Sequence, residues 1–168
     1  MLSEPQQKDV WERWLAAEMR ANYFGDLAGR YTFRQNLLVW LTLLSTSGAA
    51  FSLVTDWVPR EYAWVKPALA FLAAGLSLMN VVFQNQRRSF ECADLHFRWN
   101  RLAADYENLW NDMYSSVADS TLAKLREKGA ELSRSGMGIP YRERIMSKWE
   151  DHVIQHRVGQ APQVHAPA

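Results

Sequence analysis

The hydrophobic positions of this chain are concentrated in two long windows without charge. Residues 35–55 and 67–86 carry no charged side chain. At ~1.5 Å per residue, a helix over the first of these windows would be about 30 Å long, the thickness of a bilayer's hydrocarbon core. The pattern therefore predicts a hairpin of two transmembrane helices, about 35–55 and 67–86, joined by a linker at 56–66.

The residues around the two windows predict an orientation. The linker contains Trp57, Tyr62 and Trp64, aromatic side chains that are typical of the membrane interface. Basic residues are denser outside the hairpin than in the linker, which holds only Arg60 and Lys66. Because basic residues concentrate on the cytoplasmic side, both termini are expected there and the linker on the opposite side. The flanking basic residues are Arg20, Arg30, Arg34, Arg87, Arg88, Arg98 and Arg101.

A buried helical hairpin inside a soluble protein is the alternative. A chain of 168 residues leaves little other apolar surface to surround two helices that lack a polar face. The sequence therefore favours membrane insertion.

Residues 1–34 predict a cytoplasmic amphipathic helix. Ser3 is suited to the N-cap position. Gly25 and Gly29 allow a bend before the first span, but a continuous helix is equally compatible with the sequence. The apolar residues recur at helical spacing: Trp11, Trp14, Leu15 and Met19.

Residues 87–157 predict further cytoplasmic helices, the first continuing directly from the second span. Its apolar residues alternate at spacings of 3 and 4, the pattern of a coiled coil or bundle helix. This stripe either packs on the N-terminal helix or joins subunits. The candidate interface residues are Leu95, Trp99, Leu102, Tyr106, Leu109 and Met113, with Cys92 at the start of the stripe.

Two shorter helices are expected next. The segment ADSTLAKLREKGAELSRS has Asp119 or Ser120 as a start signal, and YRERIMSKWEDHVIQHR follows a break at Gly136, Gly138 and Pro140. The composition of residues 158–168 is typical of a disordered tail. The predicted fold is therefore an all-α membrane protein, a transmembrane hairpin with a cytoplasmic bundle of the N-terminal and C-terminal helices.

Composition and motifs argue against several functions. The 19 basic and 18 acidic residues nearly cancel, so no nucleic-acid partner is indicated. Residues 1–20 are charged throughout, so no cleavable signal peptide is expected. The single cysteine allows no internal disulfide. The sequence has no phosphate-binding, dinucleotide-binding or zinc-protease motif, so no enzyme activity and no cofactor are expected.

Two residue pairs have the spacing of metal ligands on a helix, Cys92 with His96 and His152 with His156. A structural zinc site uses four ligands, so two do not make a site. No metal is predicted.

Each predicted span has one edge of small and polar residues. In lipid such an edge is driven inward, because small residues allow close packing and polar groups need partners. The edges either pack within the hairpin or line a water path once several hairpins assemble. The pore-lining or packing candidates are Thr42, Ser45, Thr46, Ser52, Ser77, Asn80 and Gln84.

This organisation resembles a known family over about residues 8 to 155. The segments NYFGDLAGRYTFRQN, QNQRRSFECADLHFRWNRLAADYENLW and IPYRERIMSKWEDHV, placed around two uncharged windows, are similar to the SLATT family of SMODS and SLOG associating two-transmembrane effectors. The likeness is one of architecture rather than of an invariant motif.

The resemblance implies a bacterial membrane effector of an anti-phage, abortive-infection system. Such a protein is expected in the inner membrane, with its linker in the periplasm, and to oligomerise and permeabilise the lipid bilayer. A separate sensor protein or a cyclic nucleotide would supply the signal. The alternative function is a passive membrane anchor or scaffold that recruits a cytoplasmic partner enzyme.

Overall fold

The computed structural model describes residues 1–54 and 64–158, and for residues 49–54, 66, 80, 81 and 158 it describes the backbone only. Within these ranges the chain contains no strand, which confirms the all-α class. The helices are α1 (Glu4–Val54), α2 (Val65–Phe83), α3 (Asn85–Asn111), α4 (Ala118–Ser135) and α5 (Glu143–Val158), with a short 3₁₀ helix at Gly136–Gly138 between the last two.

The start of α1 follows from its sequence. Ser3 precedes the first helical residue, and both its backbone N–H and its hydroxyl donate to Gln6 Oε1, at 2.8 and 3.0 Å. Gln6 thus caps the backbone as in a capping box, and Pro5 occupies the first turn, where a missing N–H costs nothing. The helix then continues without a break past Gly25 and Gly29.

The predicted transmembrane hairpin is wrong. In the part of the chain that the structure describes, no helix is both long and apolar enough to cross a membrane. The window 67–86 is not one helix, because α2 ends at Phe83 and α3 begins at Asn85. Residues 35–54 of the other window are the last part of the much longer α1, and polar residues such as Gln35 and Thr42 dilute the apolar character of this part.

The break between α2 and α3 also contradicts the expected continuous helix. Gln84 has φ 44° and ψ 36°, the left-handed conformation that commonly ends a helix. A residue with a side chain costs of order 1–3 kcal/mol in this conformation. The predicted linker, 56–66, falls largely on residues 56–63, and the predicted tail largely on 159–168, both outside the described residues.

The chain divides into two compact units. Unit 1 comprises Met1–Leu27 and Glu91–Ala168, and unit 2 comprises Ala28–Phe90. Helix α1 contributes its first part to unit 1 and its second part to unit 2.

Unit 1 is a helical bundle in which the first part of α1 contacts α3, α4 and α5. Helix α4 runs in the direction of α1, whereas α3 and α5 run in the opposite direction. The contacts that give these directions are Asp9 with Arg126 and Arg20 with Ser133 for α4, Trp11 with Trp110 and Ala21 with His96 for α3, and Glu18 with Arg157 and Asp26 with Lys148 for α5.

The core of unit 1 forms from one stripe of each helix. Residues at spacings of 3 and 4 share a helix face, so regular apolar positions become a continuous buried surface. Burying one such side chain stabilises the fold by about 1.5–3 kcal/mol. The core includes Val10, Trp14, Ala17, Ala21 and Leu27 of α1, Cys92, Leu95, Trp99, Leu102 and Tyr106 of α3, Leu122, Leu125 and Leu132 of α4, and Ile145 and Val153 of α5.

Unit 2 contains the second part of α1 beside α2 and the first residues of α3. Near one end, the hydroxyls of Thr32 and Ser89 lie 2.7 Å apart. Near the other, a Cβ placed on Gly48 would lie 3.7 Å from Leu69 Cδ1. The second part of α1 therefore runs antiparallel to α2 and the first residues of α3. Few of their described side chains are buried: Tyr31, Ser45, Ala73 and Asn85.

Candidate association surface

The predicted polar edges of α1 and α2 are only partly covered. Ser45 is buried and Thr42 is half-buried, whereas Thr46, Ser77 and Gln84 are exposed. The side chains of Ser52 and Asn80 lie outside the described residues. The edge positions are therefore divided between the helix interface and the surface of unit 2.

The hydroxyls on these edges bond to their own helices. Thr42 donates to the Leu38 carbonyl at 2.8 Å, Ser45 to the Leu41 carbonyl at 2.8 Å, and Ser77 to the Ala73 carbonyl at 2.9 Å. Thr46 does the same toward the preceding turn. Because a hydroxyl bonded in this way already has an acceptor, it needs neither water nor a partner helix for its proton.

The stripe of α3 lies inside unit 1. Leu95, Trp99, Leu102, Tyr106 and Leu109 are buried, and Met113 is half-buried. These residues form the packing surface for the neighbouring helices of the same chain. The other interpretation of this stripe was an interface between subunits. Its five buried residues are not accessible to a second copy.

The three histidines within the described residues make contacts inside the chain. His96 Nδ1 lies 2.7 Å from the Ala21 carbonyl oxygen, and the rings of His152 and His156 have centroids 4.2 Å apart. Among the residues with described side chains, no group of three or more His, Cys, Asp or Glu is arranged to hold a metal ion.

Unit 2 carries a large exposed apolar surface, which the sequence assigned to lipid contact. Large apolar side chains of both α1 and α2 remain accessible; Phe71 is 79% exposed, Val82 73% and Leu44 66%. We call this set the outer apolar surface. It consists of Phe33, Leu37, Val39, Trp40, Leu41, Leu43 and Leu44 of α1, and Phe71, Leu72, Leu78, Met79, Val82 and Phe83 of α2.

Two stripes within this surface have the same periodicity. On α1 the stripe is Phe33, Leu37, Trp40 and Leu44, and on α2 it is Phe71, Gly75, Leu78 and Val82. Each has spacings of 4, 3 and 4, which place its members on one helix face. This is the spacing at which helices pack side by side in coiled coils and bundles.

The second stripe contains a notch. A Cβ placed on Gly75 would meet no atom within 4 Å, and the neighbouring Ala74 is exposed. The larger Phe71 and Leu78 lie one turn away on either side. A surface that alternates large and small residues fits the ridges of another helix into its grooves.

Charge is absent from this surface. No ionisable residue occurs in 35–48 or 67–79, and the nearest basic residues in the sequence are Arg34 on α1, Lys66 at the start of α2, and Arg87 and Arg88 on α3. An interface formed here would therefore depend on apolar contact and on shape, with little contribution from ion pairs.

Comparisons of the chain with protein-family models, with curated proteins and with solved structures found no match. The similarity to the SLATT family therefore remains a prediction from the sequence.

Proposed function

We propose that this chain is a non-enzymatic helical effector that acts by self-assembly, with the outer apolar surface of unit 2 as the contact between copies. The observation that supports the proposal is the pair of exposed stripes with matching 4, 3, 4 spacing.

The energetic argument rests on exposed apolar area. Monomeric proteins rarely expose contiguous apolar patches of more than a few hundred Å². Covering a large apolar side chain contributes about 1.5–3 kcal/mol relative to leaving it in water. A second copy supplies the same two stripes, so a symmetric contact would cover both partners at once.

The family resemblance suggests the setting in which assembly would act. In an anti-phage system, a separate sensor protein or a nucleotide signal would trigger assembly, and the bacterial inner membrane would be the target of the assembled form. A trigger can shift the chain from single to assembled copies only by binding the assembled arrangement more tightly.

The experiment measures the mass of the purified chain by light scattering or sedimentation over a range of concentrations. The wild type is expected to form a defined oligomer. Leu78→Glu should shift the mass toward the monomer, because a carboxylate would have to be desolvated at the contact. Gly75→Leu should do the same by filling the notch. Phe97→Glu is the matched control, since Phe97 of unit 1 is as exposed as Leu78, at 65% and 67%.

Two results would contradict self-assembly. One is a monomer at every concentration tested. The other is an oligomer that Phe97→Glu weakens as much as Leu78→Glu does.

A second arm uses vesicles of phosphatidylethanolamine and phosphatidylglycerol. A chain that stays monomeric in solution but floats with the vesicles, and loses this with Leu78→Glu, would assign the outer apolar surface to lipid instead. For the assembled chain, dye leakage from the vesicles separates an effector that damages membranes from a passive scaffold, which would release no dye.

A further inference from the structure

Unit 1 contains two adjacent pockets that the assembly proposal does not use. The first has a volume of about 280 Å³ and the second about 240 Å³. Arg20, Trp99 and Ser133 line both of them, so these three residues form the wall that the pockets share.

Arg20 is the central group of this wall. Its Cζ lies 4.8 Å from the centroid of the Trp99 ring, and its Nη1 donates to Ser133 Oγ at 3.0 Å. No carboxylate lies within ion-pair distance of it among the described residues. Burial lowers the pKa of Arg20, but an arginine side chain stays protonated in proteins. A half-buried cation therefore faces the pockets without a compensating charge.

The second pocket adds two further cations. Arg13 and Arg126 line it, and both donate to the carboxylate of Asp9, at 2.7 to 3.0 Å. One carboxylate thus serves two guanidinium groups, and no acidic residue lines this pocket. With Arg20, the second pocket has a surplus of positive charge.

The first pocket is aromatic and apolar. Tyr23, Phe24, Trp99 and Tyr141 contribute rings to its lining, together with the side chains of Met137, Ile139, Leu132 and Met146. No acidic residue lines this pocket either. Flexible methionines beside rigid rings suit a flat organic group.

The indole N–H of Trp99 strengthens the case for a ligand. The residue is 3% exposed, and its Nε1 has no hydrogen-bond partner. A buried donor without an acceptor costs about 1–3 kcal/mol, so a bound group that supplied an acceptor would remove this cost.

We propose that the two pockets together bind a small organic anion that joins a flat ring to a phosphate, a mononucleotide in size. The ring occupies the first pocket, against Trp99 and Tyr141. The phosphate lies in the second, within reach of Arg20, Arg13 and Arg126. Guanidinium groups match phosphate oxygens in geometry and charge. The combined volume is in the range of natural ligand sites. The site lies in unit 1 and does not depend on the assembly proposal.

The test uses isothermal titration calorimetry with three probes on the full chain: adenosine monophosphate, adenosine and inorganic phosphate. Adenosine has the ring without the charge, and phosphate has the charge without the ring. Adenosine lacks the charge-assisted hydrogen bonds, which contribute about 1.5–3 kcal/mol, and phosphate lacks the ring that packs on the aromatic side chains of the first pocket. Adenosine monophosphate is therefore expected to bind at least about tenfold more tightly than either.

Arg20→Gln should weaken that binding by about tenfold or more for the same reason. Arg20→Lys should recover part of it, because it keeps the charge but not the planar fork. Arg98→Gln is the matched control. Arg98 is an arginine of the same unit that pairs with Glu131 at 3.4 Å and lines neither pocket.

A second measurement follows the wild-type chain, and a variant is needed only to assign the resonance. The Trp99 indole resonance, identified with Trp99→Phe, should shift when adenosine monophosphate is added to ¹⁵N-labelled wild type. The proposal is overturned if adenosine monophosphate does not bind or binds no more tightly than phosphate. It is also overturned if Arg98→Gln weakens binding as much as Arg20→Gln, or if the Trp99 resonance stays in place.

Discussion

The two units of this protein use the same helix in different ways. In unit 1, charged residues alternate with the apolar positions of α1, so that Val10, Trp14 and Ala17 turn inward and Asp9 and Arg13 stay near the surface. In unit 2, no charge marks the outward face between residues 35 and 48. Apolar residues such as Trp40 are then exposed because the neighbouring helix covers only one side. Charged residues specify which face is buried, and without them the available partners decide.

The polar contacts of the units differ in the same sense. In unit 1 they join helices that are distant in sequence: Gln6 donates to Asp119 at 2.6 Å, and the Arg142 backbone N–H donates to Tyr23 at 3.0 Å. In unit 2 most of the hydroxyls bond to the preceding turn of their own helix. The described contacts that cross between its helices both involve Ser89, with the Thr32 hydroxyl at 2.7 Å and with the Ala28 carbonyl at 3.2 Å. Unit 1 therefore has directional contacts that fix its packing, whereas unit 2 relies on shape.

The largest expected difference concerns one leucine in each unit. Leu122 of α4 is 1% exposed and Leu78 of α2 is 67% exposed. Leu122→Ala should lower the free energy of unfolding by about 2–5 kcal/mol, because it leaves a cavity in a packed core. Leu78→Ala should change it by no more than about 0.5 kcal/mol. Urea unfolding followed by circular dichroism, at concentrations where the chain is monomeric, measures both. An equal loss of unfolding free energy in the two variants would contradict this difference between the units.

A smaller effect is expected from acid, and it belongs to unit 1. Burial by itself would raise the pKa of the Asp9 carboxyl, but the hydrogen bonds and charges of Arg126 and Arg13 outweigh it and lower the pKa below the ordinary 3.8. The contribution of Asp9 to stability is therefore complete above pH 3.8 and is lost as the pH falls through the lower folded-state pKa.

Asp9→Asn should accordingly be less stable than the wild type by about 1 kcal/mol at neutral pH, the scale of a partly exposed ion pair. The difference should close in acid. Thermal unfolding at a series of pH values measures this, and Asp112→Asn is the control, which should match the wild type at neutral pH because Asp112 lies outside this network. A stability difference between Asp9→Asn and the wild type that persists below pH 3 would contradict its explanation by the ionised Asp9 carboxylate.

The smallest effect compares two glycines of α1 on either side of the unit boundary. A Cβ on Gly29, in unit 2, would meet nothing within 4 Å. Gly29→Ala should raise the free energy of unfolding by about 0.5–1 kcal/mol through helix propensity. A Cβ on Gly25, in unit 1, would lie 3.0 Å from His96 Nδ1. Gly25→Ala should therefore bring no gain, because moving His96 away from the Ala21 carbonyl costs about 1 kcal/mol.

A double-mutant cycle checks this last explanation. In a His96→Ala background the obstacle is gone, and Gly25→Ala should then stabilise the chain as Gly29→Ala does. A substitution that remains neutral in that background would mean that His96 is not the cause.

Much of the secondary structure could be predicted from the sequence. Ser3 was identified as the N-cap, and the start of α4 was expected within two residues of Ala118. The α3 stripe from Cys92 to Leu109 is buried as a set, because spacings of 3 and 4 place residues on one face of a helix with 3.6 residues per turn, whatever the partner is. These features depend on residues close together in the chain.

The membrane hairpin was the main error. Without charged residues, an apolar window does not indicate which face of the helix is exposed to water. The prediction therefore assumed that lipid surrounds both helices. The end of α2 at Gln84 also had no local signal, because neither glycine nor proline occurs there. Propensity is a weak guide at such a position, and tertiary contacts decide where the helix stops.

The sequence by itself determined the helices and the faces that charged neighbours define. Only the tertiary structure decided which face of α2 is covered and which residues meet Arg20. Ser133, its hydrogen-bond partner, lies 113 residues away in the chain. Such a contact forms because two whole helices pack together, and the pattern of either helix alone contains no information about the other residue at that crossing.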